Sequence, residues 1–199
     1  MADRAIANQS SLAGLANPGA LGAATANPGV RIREITEFAA IIVIARRGRA
    51  ADVAAILSRH VGKPIADAAK RAEGAALSVT GTAPGQWLVV ERDSRNEVES
   101  VRAELSELAA ITDQGDGRLI VEVSGAHARA ALAKGIAVDL DANVFETGDA
   151  AQTSAAHIGL QIALIDETPT FEIISARSTA ESFWSWLVAS AAEYGIEVG

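Results

Sequence analysis

Cysteine is absent from all 199 residues, and histidine, methionine and aromatic residues are scarce: three His, one Met, three Trp, one Tyr and four Phe. With no cysteine there is no disulfide, no thiolate nucleophile and no Cys-based zinc or iron–sulfur ligand set. Long apolar runs are missing too. FAAIIVIA, Phe38 to Ala45, is among the longest, far short of the roughly 20 residues of a membrane span. The opening MADRAIANQSSLAGL carries Asp3 where a secretory signal would be basic. Basic residues are outnumbered, 17 Lys and Arg against 25 Asp and Glu, for a net charge of -8. No basic stripe offers the clustered cations that phosphate backbones require. The expectation is a cytoplasmic protein that binds neither nucleic acid nor membrane.

What is present is 49% hydrophobic and 21% charged, enough to build a sizeable core. Residues 1–29 differ from the rest: small, polar and breaker-rich, with ANPG at Ala16 and again at Ala26. Pro after Asn, then Gly, opposes a helix. This segment reads either as a disordered tail or as an extended arm that becomes ordered along a partner. Leu12, Leu15 and Leu21 are its apolar handles, and the arm reading assigns Leu12 and Leu15 to a partner interface.

From residue 30 onward, strand-like and helix-like segments alternate. IIVIARR from Ile41 is β-branched and ends at Gly48, RAADVAAILSRH sets Val53, Ile56 and Leu57 on one helical face, and AALSVTG and QWLVVER flank the turn GTAPG as a hairpin. SRNEVESVRAELSELA then predicts a helix, with Ser94 as its cap. The order recurs in LIVEVSG, an Ala-rich helix, the strands AQTSAAH, LQIALI and TFEIIS, and a last helix started by Ser178. The chain therefore reads as an α+β protein of duplicated strand–helix–strand–strand–helix halves, 30–110 and 111–199, with antiparallel sheet and helices, in a single domain over 30–199.

Candidate chemistry is thin. His60, His127 and His157 show no i, i+4 pairing and read as structural or solvated. TDQGDG, from Thr112, begins like a calcium loop but lacks the closing Glu, and reads as a turn. Asp139 and Asp141 read as caps beside a helix start rather than as an acid–base pair. No phosphate-cradling glycine loop and no nucleophile elbow is present. No catalytic, cofactor-binding or metal-binding residue can be nominated.

Aromatics gather near the end, in FEIISARSTAESFWSWLVASAAEYG. Helical spacing sets Phe183, Leu187 and Tyr194 on one stripe, Trp184 on its flank and Trp186 away from it. Core is the reading for Phe171, Phe183 and Leu187. Trp184 and above all Trp186 are candidates for a contact with another chain, since Trp anchors are enriched at interfaces.

Together, AKGIAVDL, AQT and ARSTAESFWSWL closely resemble the gamma subunit of bacterial heterotetrameric sarcosine oxidase, along a stretch from about Ser11 to Tyr194. Gly115 and Ala126 depart from that family's pattern, at positions with no known catalytic role. The resemblance implies a fold like the folate-binding domain of aminomethyltransferases. It also implies a non-catalytic, structural subunit of a complex that demethylates sarcosine to glycine with oxygen and tetrahydrofolate, giving 5,10-methylenetetrahydrofolate and hydrogen peroxide. The implied partners are alpha, beta and delta subunits carrying FAD, FMN, NAD, zinc and the tetrahydrofolate site, with no cofactor in this chain. Alternatives are the gamma subunit of a complex oxidising another N-methyl amino acid, or a stand-alone folate-dependent one-carbon transferase-like module.

Overall fold

The structure is a computed structural model that describes residues 10–24, 27–92 and 94–199. Strands β3 (Phe38–Ala45), β4 (Arg71–Glu73), β5 (Leu77–Ala83), β6 (Gln86–Arg92) and β7 (Ala109–Asp113) form one sheet, in the order β4-β5-β6-β3-β7. A seven-stranded sheet holds β1 (Gly19–Leu21), β2 (Val30–Ile35), β8 (Arg118–Ser124), β9 (Ala150–Ala155), β10 (Ile158–Asp166), β11 (Thr170–Ala176) and β12 (Ile196–Val198), in the order β1-β12-β2-β8-β11-β10-β9. Helices α1 (Ala50–Val61) and α2 (Asn96–Leu105) cover the outer face of the first sheet. Helices α3 (Ala128–Ala133) and α4 (Ala180–Ala191) cover the outer face of the second. The result is four layers, helix–sheet–sheet–helix.

The layering explains why β3 reads as unbroken apolar sequence. Ala39, Ile41 and Val43 pack under α1 and α2 with Trp87. Phe38 and Ala40 point the other way, against Leu88, Val90, Ile120 and Ile174 between the sheets. A strand buried on both faces has no polar alternation to show. On α1, Val53, Leu57 and Val61 form a buried stripe at four-residue spacing. Gly62, in the left-handed region at φ 74°, ends that helix and donates its N–H to the Ser58 carbonyl.

The other helix starts differ from expectation. α2 begins at Asn96 after Arg95, and Ser94 Oγ accepts only the Asn96 N–H. The Val98 N–H is instead capped by the buried carboxylate of Glu91, at 2.9 Å from strand β6. Before α4, a 3-10 turn over Arg177–Thr179 contains Ser178, so that serine caps nothing. Asp139 and Asp141 cap no helix either. Each closes a turn, Asp139 accepting the Asp141 N–H and Asp141 the Asn143 N–H, both at 2.9 Å. Thr112 and Asp113 end β7, and Asp113 accepts the Gly115 N–H at 2.9 Å, a turn as expected.

Two segments cross the division drawn at 110/111. β2, expected in the first half, lies in the second sheet, antiparallel to β8 and parallel to β12. β7, which that division splits, pairs with β3 in the first sheet. The described part of the arm lies on the chain itself. Leu12, 1% exposed, enters the core beneath the seven-stranded sheet. Ser10 Oγ and the Ser11 N–H donate to the Glu34 carboxylate at 2.5 and 2.7 Å, and β1 pairs with β12. Residues 1–9 and 25–26, which carry the rest of the arm and the start of the second ANPG, lie outside the described residues.

Candidate functional site between the two sheets

The inner faces of the sheets are apolar only at their middle, where Leu88, Val90, Ile120 and Ile174 meet. On one side of that patch lies a chain of charges. Strand alternation puts Glu172 on the same face as Ile174, and Glu122 on the same face as Ile120. Glu172, 1% exposed, receives Arg71 Nε at 3.0 Å and Arg92 Nη2 at 2.9 Å. Arg92 Nη1 then reaches Glu122 at 2.7 Å, and Glu122 also takes Arg33 Nη2 at 2.6 Å. Arg71 and Arg92 come from the first sheet, Glu172, Glu122 and Arg33 from the second, so the ion pairs rivet the layers together.

Burial alone would lower the pKa of both Arg71 and Arg92; the neighbouring carboxylates outweigh it and hold both above the ordinary arginine value. For Glu122, burial works to raise the pKa, and the hydrogen bonds and charges of Arg33 and Arg92 overcome it to leave it lowered. The charged forms of Arg71, Arg92 and Glu122 are therefore the favoured ones, and with Glu172 and Arg33 they form a structural clamp between the sheets.

Beyond the other side of the apolar patch the sheets splay into a cleft of about 310 Å³. Thr82, Gln86, Arg118, Gln152 and Gln161 supply polar groups, against apolar walls from Ile42, Leu88 and Ile174. Among the described residues, no carboxylate lines it.

The histidines stay apart. His60 spans α2, with Nδ1 3.2 Å from Glu97 and Nε2 3.2 Å from Glu104. His127 stacks on Tyr194 at a centroid separation of 4.8 Å. His157 sits in the β9–β10 turn with φ 70°. Among the described residues, no group of three or more His, Asp or Glu could hold a metal ion, and no helix is long and apolar enough to cross a membrane.

Of the four residues assigned to an interface, the structure removes two. Leu12 is in the chain's own core, as above, and so is Trp184, 6% exposed and packed with Phe183 and Leu187. α4 is buried over a wider arc than one stripe, because it packs on the sheet and on α3 together. Leu15 is exposed. Trp186 is half-buried, its ring tilted against Phe183 at 5.8 Å and lying over Gly135, where a Cβ would come within 2.7 Å of Nε1. The inter-sheet residues went unnominated because alternation in FEIIS assigns Glu172 to solvent. The available signal was its partner on that face, Ile174, which is as apolar as any residue of the other face.

Four layers with largely antiparallel sheets define an α+β fold that recurs in an aminomethyltransferase. Aminomethyltransferase T of the glycine cleavage system from Bartonella henselae superposes with a TM-score of 0.60 at 15% identity, over 86% of this chain and 48% of that one. The heterotetrameric sarcosine oxidase from Corynebacterium sp. U-96, in complex with pyrrole 2-carboxylate, contains a chain that superposes with a TM-score of 0.80 at 21% identity, covering 94% of this chain and 95% of that chain. No curated protein matches the sequence. The model of the sarcosine oxidase, gamma subunit family matches residues 47–193, and the chain belongs to that family.

Proposed function

We propose that this chain is the non-catalytic, structural gamma subunit of a heterotetrameric sarcosine oxidase, in which alpha, beta and delta subunits carry out the oxidative demethylation of sarcosine to glycine. The observation that carries the non-catalytic reading is the employment of the buried carboxylates. Glu172 is clamped by two arginines and Glu91 caps α2. Neither is free to act as acid or base. A folate-dependent transferase would need a carboxylate beside the folate amine, whereas the lining of the cleft offers one guanidinium, amides and hydroxyls. FAD, FMN, NAD, zinc and the tetrahydrofolate site belong, on this reading, to the other subunits, and the assembly works in the cytoplasm.

The test is purification of the chain alone and together with the other subunits. Alone, it is expected to show no flavin absorbance and no sarcosine-dependent peroxide. With the other subunits it co-purifies in constant proportion, and omitting it lowers the yield of assembled oxidase. Stoichiometric flavin or amine oxidation in the isolated chain would overturn the proposal. Assaying the assembly with sarcosine against other N-methyl amino acids decides the substrate.

A further inference from the structure

We propose that the cleft between the two sheets binds a small organic carboxylate, gripped by the guanidinium of Arg118 and the side-chain amide of Gln161. Gln161 lies on β10, is 5% exposed and lines the cleft. Its Oε1 accepts a hydrogen bond from Gln152 at 3.0 Å, but its Nε2 is buried with no partner among the described residues. Buried amide donors are nearly always satisfied, and an orphan on a residue that lines a cavity points to an acceptor reached by a small turn of the side chain.

Arg118 makes the complementary case. Its Nε donates to Gln114 Oε1 at 3.1 Å, and among the described residues its two terminal amino groups have neither a hydrogen bond nor an ion pair. The other cations turned into the space between the sheets, Arg71, Arg92 and Arg33, each hold a carboxylate. Burial alone holds Arg118 below the ordinary arginine pKa, with no neighbouring anion to offset it. A guanidinium presents its donors as a planar fork that matches a carboxylate in bidentate fashion.

Room for the ligand is built in. Gly159 belongs to the lining, and a Cβ there would meet nothing within 4 Å. The volume of about 310 Å³ lies at the lower end of small-molecule sites. The apolar walls from Ile42, Leu88 and Ile174 suit a short hydrocarbon body. Charge count selects the head group. Among the described residues Arg118 is the only cation in the lining, which balances a monoanion and leaves a phosphate dianion with uncompensated charge. A neutral amide would satisfy Gln161 and leave Arg118 unpaired.

The experiment titrates the full-length, 15N-labelled chain with propionate and, separately, with propionamide at matched ionic strength, following the Gln161 amide and Arg118 Nε–H resonances. The expected result is saturable shifts with propionate and at least tenfold weaker binding of propionamide. Arg118→Gln should weaken propionate at least tenfold. Gly159→Leu, at an exposed backbone position, should fill the cleft and abolish the shifts without lowering the melting temperature. Equal response to the two probes, or undiminished binding in a folded Gly159→Leu variant, would overturn the proposal. Ligand-observed saturation transfer on the assembled complex identifies the source: a retained propionate signal means a free metabolite carboxylate, and a signal lost on assembly means an Asp or Glu of a neighbouring subunit occupies the same grip.

Discussion

Arg71 and Glu172 meet across the gap between the two sheets, with Nε 3.0 Å from Oε1 and Nη2 3.3 Å from Oε2, and their side chains are only 3% and 1% exposed. They stand 101 residues apart in the chain. Taking two charges out of water is costly, and the pair is tolerable because Glu73 and Arg92 complete the hydrogen bonding of both.

Breaking that pair should be worse than deleting it. Glu172→Leu alone leaves Arg71 buried beside an apolar side chain and should cost on the order of 3–5 kcal/mol. The double variant Arg71→Met, Glu172→Leu should recover most of that loss, since Arg92 keeps Glu122 and no buried charge is stranded. Urea unfolding of the three proteins measures it. A double variant as unstable as the single would show that the pair itself, not the stranded charge, sets the cost.

Glu122 should make the fold acid-sensitive. Its folded-state pKa is depressed below its unfolded value, so its contribution is fully present above the unfolded pKa of about 4.3. That contribution drains away as the pH falls through the lower folded value. Thermal melts of the wild type and Glu122→Gln should differ by a constant amount near neutrality and converge on acidification below about pH 4. A gap that persists unchanged at low pH would place the effect in packing.

Leu12 anchors the arm to the body of the chain. Leu12→Ala should destabilise the isolated protein by about 2–5 kcal/mol, as buried Leu truncations do. The exposed Leu15 makes a matched control, expected to change folding by less than about 0.5 kcal/mol. Indistinguishable melting of wild type and Leu12→Ala would mean that the arm does not hold to its own domain in solution.

Phe183 and Trp186 touch, yet should behave differently. Phe183 is fully buried, and Phe183→Ala should cost about 3–5 kcal/mol. Trp186 keeps one side open to solvent, so Trp186→Ala should cost the isolated fold a fraction of that and weaken assembly by upwards of about 2 kcal/mol if the open side is covered by another subunit. Melting temperatures and co-purification separate the two effects. Equal melting losses would confine Trp186 to intrachain packing.

Much of the architecture is legible in local patterns. The hairpin around GTAPG is β5 and β6, the stripe of Val53 and Leu57 is the buried face of α1, and Phe171, Phe183 and Leu187 are core. These rest on periodicity and turn chemistry, which act over a few residues and leave their mark in the sequence. Tertiary structure alone decided the rest. Whether β2 joined the sheet it precedes or the one that follows depended on which edge offered a partner, and β8 did. Whether Leu12 met another chain or its own core depended on where β12 left room for β1. Period-2 alternation says that the faces of a strand differ. It does not say whether the polar face meets water or a second sheet, and so Glu172 and Gln161, polar residues on inward faces, were invisible as a clamp and a cleft. Even the cap of α2 is not the residue beside it: buried Glu91, near the end of the preceding strand, did what Ser94 did not, because the sheet already held its carboxylate at the right distance.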